Sequence, residues 1–367
     1  MNITLIITGL GMGGAERQVC DLADQFANKG HSVLLISMTG DTVNRPQSVN
    51  IKIEELNMAK TPLGFIKAYW KARQLIKQFK PDVVHSHMVH ANLFARLLRF
   101  TMSIPKLICT AHCTTEGGRV RMLAYRLTDH LCDISTNVSQ EAVDAFVAWG
   151  AVKPGRMYPM YNGINTEQFV FNASSRARLR DELNIDEKTP LLLAVGRLTQ
   201  QKDYPNLFNA FQQLVEVGNP ANLAIIGTGE DLPTLTTMVA KLGLSDRVRF
   251  LGLQRNVNEW MSAADVFVLS SAWEGFGLVV AEAMACERIV VATDCGGVKE
   301  VVGQCGILIP PVNSIALANA LSVALSLTAE QAQAQGYSAR RRIVERYSLK
   351  AQAENWIEFY RDSSNMC

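Results

Sequence analysis

Apolar and polar positions alternate on two length scales along this chain. Short, nearly continuous runs of apolar residues recur as NITLIIT, SVLLIS, DVVHSH, KLICT and DISTNVS in the first half. They recur as PLLLAVG, NLAIIGTG, RVRFLG, DVFVLSS, RIVVAT and ILIP in the second. Between them lie longer amphipathic stretches at 15–28, 63–79 and 91–102, then at 206–217, 232–242, 256–263, 278–285 and 298–302. Continuous Val/Ile/Leu runs bounded by Gly or Pro belong to parallel strands covered by helices on both faces. The pattern predicts an α/β chain in which a doubly wound, Rossmann-like domain occurs twice. The alternation breaks in MYPMYNGINTEQFVFNASS, around residues 157–175, a segment rich in Asn, Ser, Tyr and Pro. Domains over 1–163 and 164–348 follow. The segments 314–327, 329–347 and 349–361 read as helices, and a C-terminal helix over about 349–367 is expected to pack back on the first domain. Two such domains facing a central cleft would bind ligands at the carboxyl ends of their strands.

Composition supports this reading and adds an asymmetry. The 367 residues fit two domains at about 100–200 residues each. With 48% apolar and 19% charged residues, the chain has ample material for cores and no bias towards disorder. The formal charge of +2 divides unevenly: 18 Lys/Arg against 12 Asp/Glu in residues 1–163, and 18 against 22 in 164–367, hence +6 and −4. A basic first half fits an anionic partner, phosphate or an acidic membrane surface, and it also fits an ordinary solvated face. The opening MNITLIITGL lacks a basic n-region and reads as a buried first strand rather than a signal peptide. No apolar stretch reaches about 18 residues without a charge, so no transmembrane helix is expected. Cys20, Cys109, Cys113, Cys132, Cys286, Cys295, Cys305 and Cys367 include no C-x-x-C pair and no zinc-ligand spacing. They read as reduced thiols, most acting as small hydrophobes, in the cytoplasm.

Candidate chemistry collects where strands end. Gly9-Leu-Gly11-Met-Gly13-Gly14-Ala-Glu16-Arg17 follows the first strand and opens a helix, where backbone amides and the helix start favour an anion. It departs from the dinucleotide fingerprint, and the second strand ends without the acidic residue that would hold a ribose. A purely structural turn remains the other reading. After PLLLAVG, Arg197 and Lys202 can neutralise a diphosphate, one as a planar fork and one as a point charge; two solvated loop residues are the alternative. Trp273-Glu274-Gly-Phe-Gly277-Leu-Val-Val-Ala-Glu282 runs from strand through loop into helix. Gly277 leaves bare amides at the helix start, Glu282 sits about a turn inside among alanines, and either carboxylate could accept sugar hydroxyls or serve as a cap or ion-pair partner.

In these residues the chain resembles family 4 of the retaining glycosyltransferases, which have the GT-B fold. The resemblance spans nearly the whole chain and keeps the family's motif order. GLGMGGAERQ is similar to its N-terminal glycine loop, DVVHSH and CTAHC to two His-bearing strand ends, and YNGINTEQF to its interdomain segment, with Asn165 in place of the usual Asp. VGRLTQQKD, IIGTGED and FLG are similar to its donor-domain strands, and EGFGLVVAE to its signature of two glutamates separated by seven residues. The resemblance implies an acceptor-side domain over 1–163 and a nucleotide-sugar domain over 164–348. It implies that Arg197 and Lys202 bind the diphosphate, Glu282 the ribose, and Glu274 the transferred sugar. Phe276, Gly277, Leu278 and Val279 would offer amides, Gly229 would line the donor site, His112 would lie by the anomeric centre, and Gly13 and Gly14 by the diphosphate. Glu16, Arg17, His87 and Asn162 would face the acceptor; His85, another strand-end histidine, reads equally well as a satisfied core residue.

No D-x-D motif and no metal-spaced cluster occurs in the sequence, so metal-independent transfer with retention is expected, with a UDP-sugar as substrate and no cofactor. The stretches Arg119–Arg126 and Leu93–Phe100 mix basic and apolar residues, as helices on a sheet or on an anionic bilayer do. The nearest-looking relatives build O-antigen or capsule on a polyprenyl carrier. That implies a lipid-diphosphate-linked saccharide acceptor at the cytoplasmic face of the membrane, peripherally bound, and no nucleic-acid partner. A GT-B sugar-nucleotide epimerase and a transferase with a soluble acceptor are the alternatives. A dehydrogenase lacks its ribose acid here, and a periplasmic-type binding protein would need an export signal.

Overall fold

The computed structural model describes residues 1–361, so Cys367 and the last part of the expected C-terminal helix lie outside the described residues. Two compact units divide the chain: Met1–Gly163 with the segment from Leu349 onward, and Ile164–Ser348.

Unit 1 runs β1 (Asn2–Ile7), α1 (Gly14–Asn28), β2 (Ser32–Ser37), β3 (Lys52–Glu55), α2 (Pro62–Phe79), β4 (Val83–His87), α3 (Val89–Thr101), β5 (Leu107–Ala111), α4 (Arg119–Thr128), β6 (Ile134–Asn137), α5 (Gln140–Ala148) and β7 (Met157–Pro159). Its seven strands are all parallel, in the order β3-β2-β1-β4-β5-β6-β7. Alternate side chains of each strand feed opposite cores. Ile3, Leu5 and Ile7 meet Val19, Leu22 and Phe26 of α1. Ile6, Leu34 and Ile36 meet Ala68, Ala72 and Ile76 of α2 and Phe94 and Leu98 of α3.

Unit 2 runs α6 (Ala173–Glu182), β8 (Leu191–Val195), α7 (Tyr204–Glu216), β9 (Asn222–Ile226), α8 (Leu232–Lys241), β10 (Val248–Gly252), α9 (Val257–Ala263), β11 (Val266–Leu269), α10 (Leu278–Ala285), β12 (Ile289–Thr293), α11 (Val298–Val302), β13 (Ile307–Ile309), α12 (Ser314–Leu325) and α13 (Ala329–Tyr347). Its six parallel strands lie in the order β10-β9-β8-β11-β12-β13. Leu192, Leu223, Val266 and Val291 pack with Phe208 and Phe211 of α7 and Leu317 and Leu321 of α12. The last described helix, α14 (Leu349–Arg361), returns to unit 1 and sets Ala353, Trp356, Ile357 and Tyr360 into the core beneath α1.

Every apolar run read as a strand is one. Two strands were not read, β3 and β7, and both are short edge strands with little to bury: KIEE is exposed or half-buried throughout. α6 also carries no apolar stripe. It is held instead by its arginines: Arg180, 1% exposed, reaches Asp265 Oδ2 at 3.1 Å, and Arg176 reaches Asp265 Oδ1 at 2.7 Å. The seven described cysteines are free thiols, five of them buried.

Candidate functional site

Both sheets reverse their winding direction once, between β1 and β4 in unit 1 and between β8 and β11 in unit 2. Loops leaving the two central strands diverge there and open a crevice at the carboxyl ends. In unit 2 the β8 loop carries Arg197 and Lys202, and the β11 loop carries Ser271 and Glu274. Lys202 Nζ donates to Glu274 Oε1 at 2.5 Å, and Ser271 Oγ donates to the same oxygen at 2.8 Å. Glu274 is 8% exposed, a carboxylate that burial tolerates because it is paired. Its second oxygen, Oε2, has no partner among the described residues. Lys202 has three N–H donors, so one on Glu274 leaves two for another anion.

Glycine makes this loop crossing possible. A Cβ on Gly227 would sit 1.9 Å from the carbonyl oxygen of Gly196, and one on Gly229 would sit 2.2 Å from that of Leu198. The β9 loop therefore presses directly on the β8 loop that presents Arg197, which is exposed and without an ion-pair partner among the described residues. Tyr204 Oη donates to the Gly196 carbonyl at 3.1 Å from the other side, and burial with Glu274 nearby raises its phenol above the usual range. Gly296 lies so close behind Glu274 that a Cβ there would be 2.0 Å from the Glu274 carbonyl oxygen.

α10 starts four residues beyond Glu274. Gly277 takes φ of +83°, a left-handed conformation that favours glycine, and turns the chain into the helix. The first-turn amides of Leu278 and Val279 have no earlier carbonyl to bond within the helix, while Phe276 is buried with its ring 5.7 Å from that of Tyr347. Glu282 is half-buried one turn on.

In unit 1 the corresponding crevice holds histidines. His87, which ends β4, places Nδ1 3.1 Å from Nε2 of His112, which follows β5. His85 is fully buried behind them: its Nδ1 is 2.6 Å from Tyr360 Oη, its Nε2 is 2.6 Å from Thr110 Oγ1, and its ring lies 4.0 Å from that of His87. It is thus a satisfied core residue. Burial pushes all three imidazoles down, His85 and His87 well below the usual range and His112 to about 4. Gly13 caps the start of α1, and Glu16 folds back over it, its Oε2 2.2 Å from where a Cβ on Gly13 would stand. Gly14 is exposed, and Arg17 is 3.7 Å from Asp21 one turn along. Asn162 is buried beside Gly163, whose amide donates to Gln18 Oε1 at 3.0 Å. The structure therefore joins Lys202 to Glu274 and His87 to His112, whereas Arg197 and Gly14 stand free of the other candidates.

Residues 12–168 match Glycosyltransferase Family 4, and residues 175–342 match Glycosyl transferases group 1. EpsD of Bacillus subtilis, named as a glycosyltransferase with no stated substrate, is 30% identical over 267 residues, 69% of this chain and 70% of EpsD. The chain belongs to glycosyltransferase family 4. N-acetyl-alpha-D-glucosaminyl L-malate synthase of Bacillus anthracis, another relative, is 26% identical across 79% of this chain and 78% of its own. Anabaena HepE, solved with UDP and glucose, superposes with a TM-score of 0.85 at 22% identity, covering 98% of this chain and 100% of HepE. The two Rossmann-like units are those of the GT-B fold.

For a family 4 enzyme, sequence reading passed over three residues of these crevices. Ser271 shares Glu274 Oε1 with Lys202, and its only cue is a hydroxyl at a strand end. Gly296 is 22 residues beyond Glu274 and reveals its role only through the close approach. Glu116, in the loop after His112, is 8% exposed; burial raises its carboxyl to about 7, against the opposing influence of the nearby His112 and Val89 amides and of Arg121.

Proposed function

We propose that this glycosyltransferase moves a hexose or N-acetylhexosamine from a UDP-sugar, with retention and without a metal, to a polyprenyl-diphosphate-linked saccharide of bacterial surface polysaccharide. The observation that carries the donor half is the Lys202–Glu274–Ser271 cluster beside the α10 start. Lys202 and Ser271 occupy Glu274 Oε1 and turn Oε2 towards sugar hydroxyls. The remaining Lys202 protons, Arg197 and the Leu278 and Val279 amides would take the diphosphate, and Glu282 the ribose. These donors stabilise leaving-group charge without a divalent cation. The anomeric carbon–phosphate oxygen bond breaks as the acceptor oxygen bonds on the same face, and the acceptor proton passes to the departing phosphate oxygen. HepE, of the same fold, was solved with UDP and glucose, which supports UDP as the nucleotide.

For the acceptor, the supporting feature is a layer of unit 1. α2, α3 and α4 contain nine Lys/Arg and not one Asp or Glu. Phe65 and Tyr69 of α2 pack edge-to-face on Phe94 of α3, and Arg96 of α3 lies over Tyr125 of α4, so the three helices are neighbours. Their outer sides expose Ile66, Trp70, Phe100, Val120, Leu123 and Leu127 among the cations. Such a face suits an anionic bilayer, at about 1 kcal/mol per cation near the surface. The variant Lys67→Glu/Lys71→Glu/Arg121→Glu/Arg126→Glu is expected to lose flotation with phosphatidylglycerol vesicles while binding UDP normally. Flotation equal to that of the unmodified protein would remove the membrane reading.

The deciding experiment screens nucleotide sugars with an undecaprenyl-diphosphate saccharide and with the same saccharide free of lipid, each with and without EDTA. Transfer from one UDP-sugar to the lipid-linked acceptor, with the anomeric configuration kept and EDTA without effect, is the expected result. Equal transfer to the free saccharide, loss in EDTA, or conversion of the donor with no acceptor present would each overturn the corresponding part.

A further inference from the structure

The histidine cluster at the ends of β4 and β5 poses a proton-counting problem. His87 and His112 are both neutral near pH 7, and a neutral imidazole carries one proton on one of its two nitrogens. The 3.1 Å contact between His87 Nδ1 and His112 Nε2 must therefore hold one proton, donated by one ring to the other. The donor's identity dictates both tautomers.

The far nitrogen of His87 decides between them. Its Nε2 is buried and has no hydrogen-bond partner among the described residues. His85 cannot help, because both of its nitrogens are engaged by Tyr360 and Thr110. If His112 donated, His87 would carry its proton on that buried Nε2. An orphaned N–H of this kind is costly and is rarer in folded proteins than an unused acceptor. If His87 donates from Nδ1, only a bare lone pair remains at Nε2, and His112 keeps its own proton on Nδ1.

We infer that His87 holds His112 in the Nδ1–H form, so that His112 meets the substrate as a hydrogen-bond donor and accepts no proton there. His87 is then a positioning residue rather than an acceptor contact. The group that His112 serves is an oxygen lone pair, of a sugar hydroxyl, a ring oxygen or a phosphate. That last step rests on the proposed transferase reading; the tautomer itself does not.

Long-range 1H–15N correlation spectra of the ¹⁵N-histidine-labelled protein read the tautomer directly, and six histidines make assignment by substitution practical. Expected for His112 are a protonated Nδ1 and a bare Nε2, unchanged from pH 5.5 to 8. His87→Asn, whose amide places a donor where Nδ1 stood, should keep that pattern, whereas His87→Leu should shift His112 towards Nε2–H. UDP affinity should not change in either variant. A protonated Nε2 on His112 in the unmodified protein, or the same His112 pattern in His87→Leu as in His87→Asn, overturns the inference even if transfer proceeds. The predicted spectra without any transfer would instead uphold the tautomer and sink the enzymatic reading. If His87→Leu fails to fold by circular dichroism, the unmodified protein and His87→Asn still decide.

Discussion

Glu274→Gln is expected to lower transfer by about 10²-fold or more while UDP affinity stays within about threefold, since each hydrogen bond to a charged group contributes about 1.5–3 kcal/mol and two are affected. The amide keeps the shape, so Lys202 and Ser271 can still bond its oxygen. What changes is the group proposed to face the sugar: Oε2, an acceptor with full charge, becomes an NH2 donor. Lys202 keeps that bond but loses its counter-charge, so more of its charge is available to the proposed diphosphate, which is why UDP binding should not suffer. Glu282→Gln is expected to behave in the opposite sense, with UDP affinity falling by about tenfold or more through a ribose bond of the same strength. Calorimetric titration with UDP beside a transfer assay separates the two. Equal losses of UDP binding in both variants would show that the glutamates do not divide the donor between them.

The second large effect concerns stability. Arg96 is entirely buried in α3, with Nη1 donating to Tyr125 O at 3.1 Å and Thr128 Oγ1 at 3.0 Å, and Nη2 to Ser135 Oγ at 3.0 Å. Asp129 Oδ1 lies 3.6 Å away, and the other Asp129 oxygen is held by Arg156 Nε at 3.1 Å. Arg96→Met fills most of the volume but strands the Tyr125, Thr128 and Ser135 acceptors in the core and leaves Asp129 to Arg156 alone. Breaking a buried pair on one side costs about 3–5 kcal/mol. The expected readout is a lower denaturation midpoint, with faster hydrogen exchange in β5 and β6. Arg96→Lys should rescue little, because a single ammonium cannot reproduce the fork. A midpoint unchanged in Arg96→Met would mean that the network is dispensable.

The sequence displayed the fold wherever burial is two-sided. Runs such as LLLAV and IVVAT can be little else than inner parallel strands, and the strands on either side of each winding reversal are of this kind. β3 and α6 escaped because polar edges and ion pairs, not apolar patterning, hold them. The glutamates, the β8 cations and the strand-end histidines were legible as residue types at strand ends. Their pairing was not: Lys202 and Glu274 are separated by 72 residues, His87 and His112 by 25, and only the folded sheet order brings each pair together. Assigning Lys202 to the diphosphate alone therefore missed its grip on Glu274.

The return of α14 to unit 1 also sets an order of assembly. Chains fold as they emerge, and ordinarily the first-made domain is finished first. Here all of unit 2 leaves the ribosome before Trp356, Ile357 and Tyr360, which close the face of α1. The later-encoded unit can be complete while the earlier one still exposes Phe26 and Leu22. A chain terminated before Leu349 would keep that surface open for good, a target for chaperones and proteases, although every β-strand of both sheets had been made.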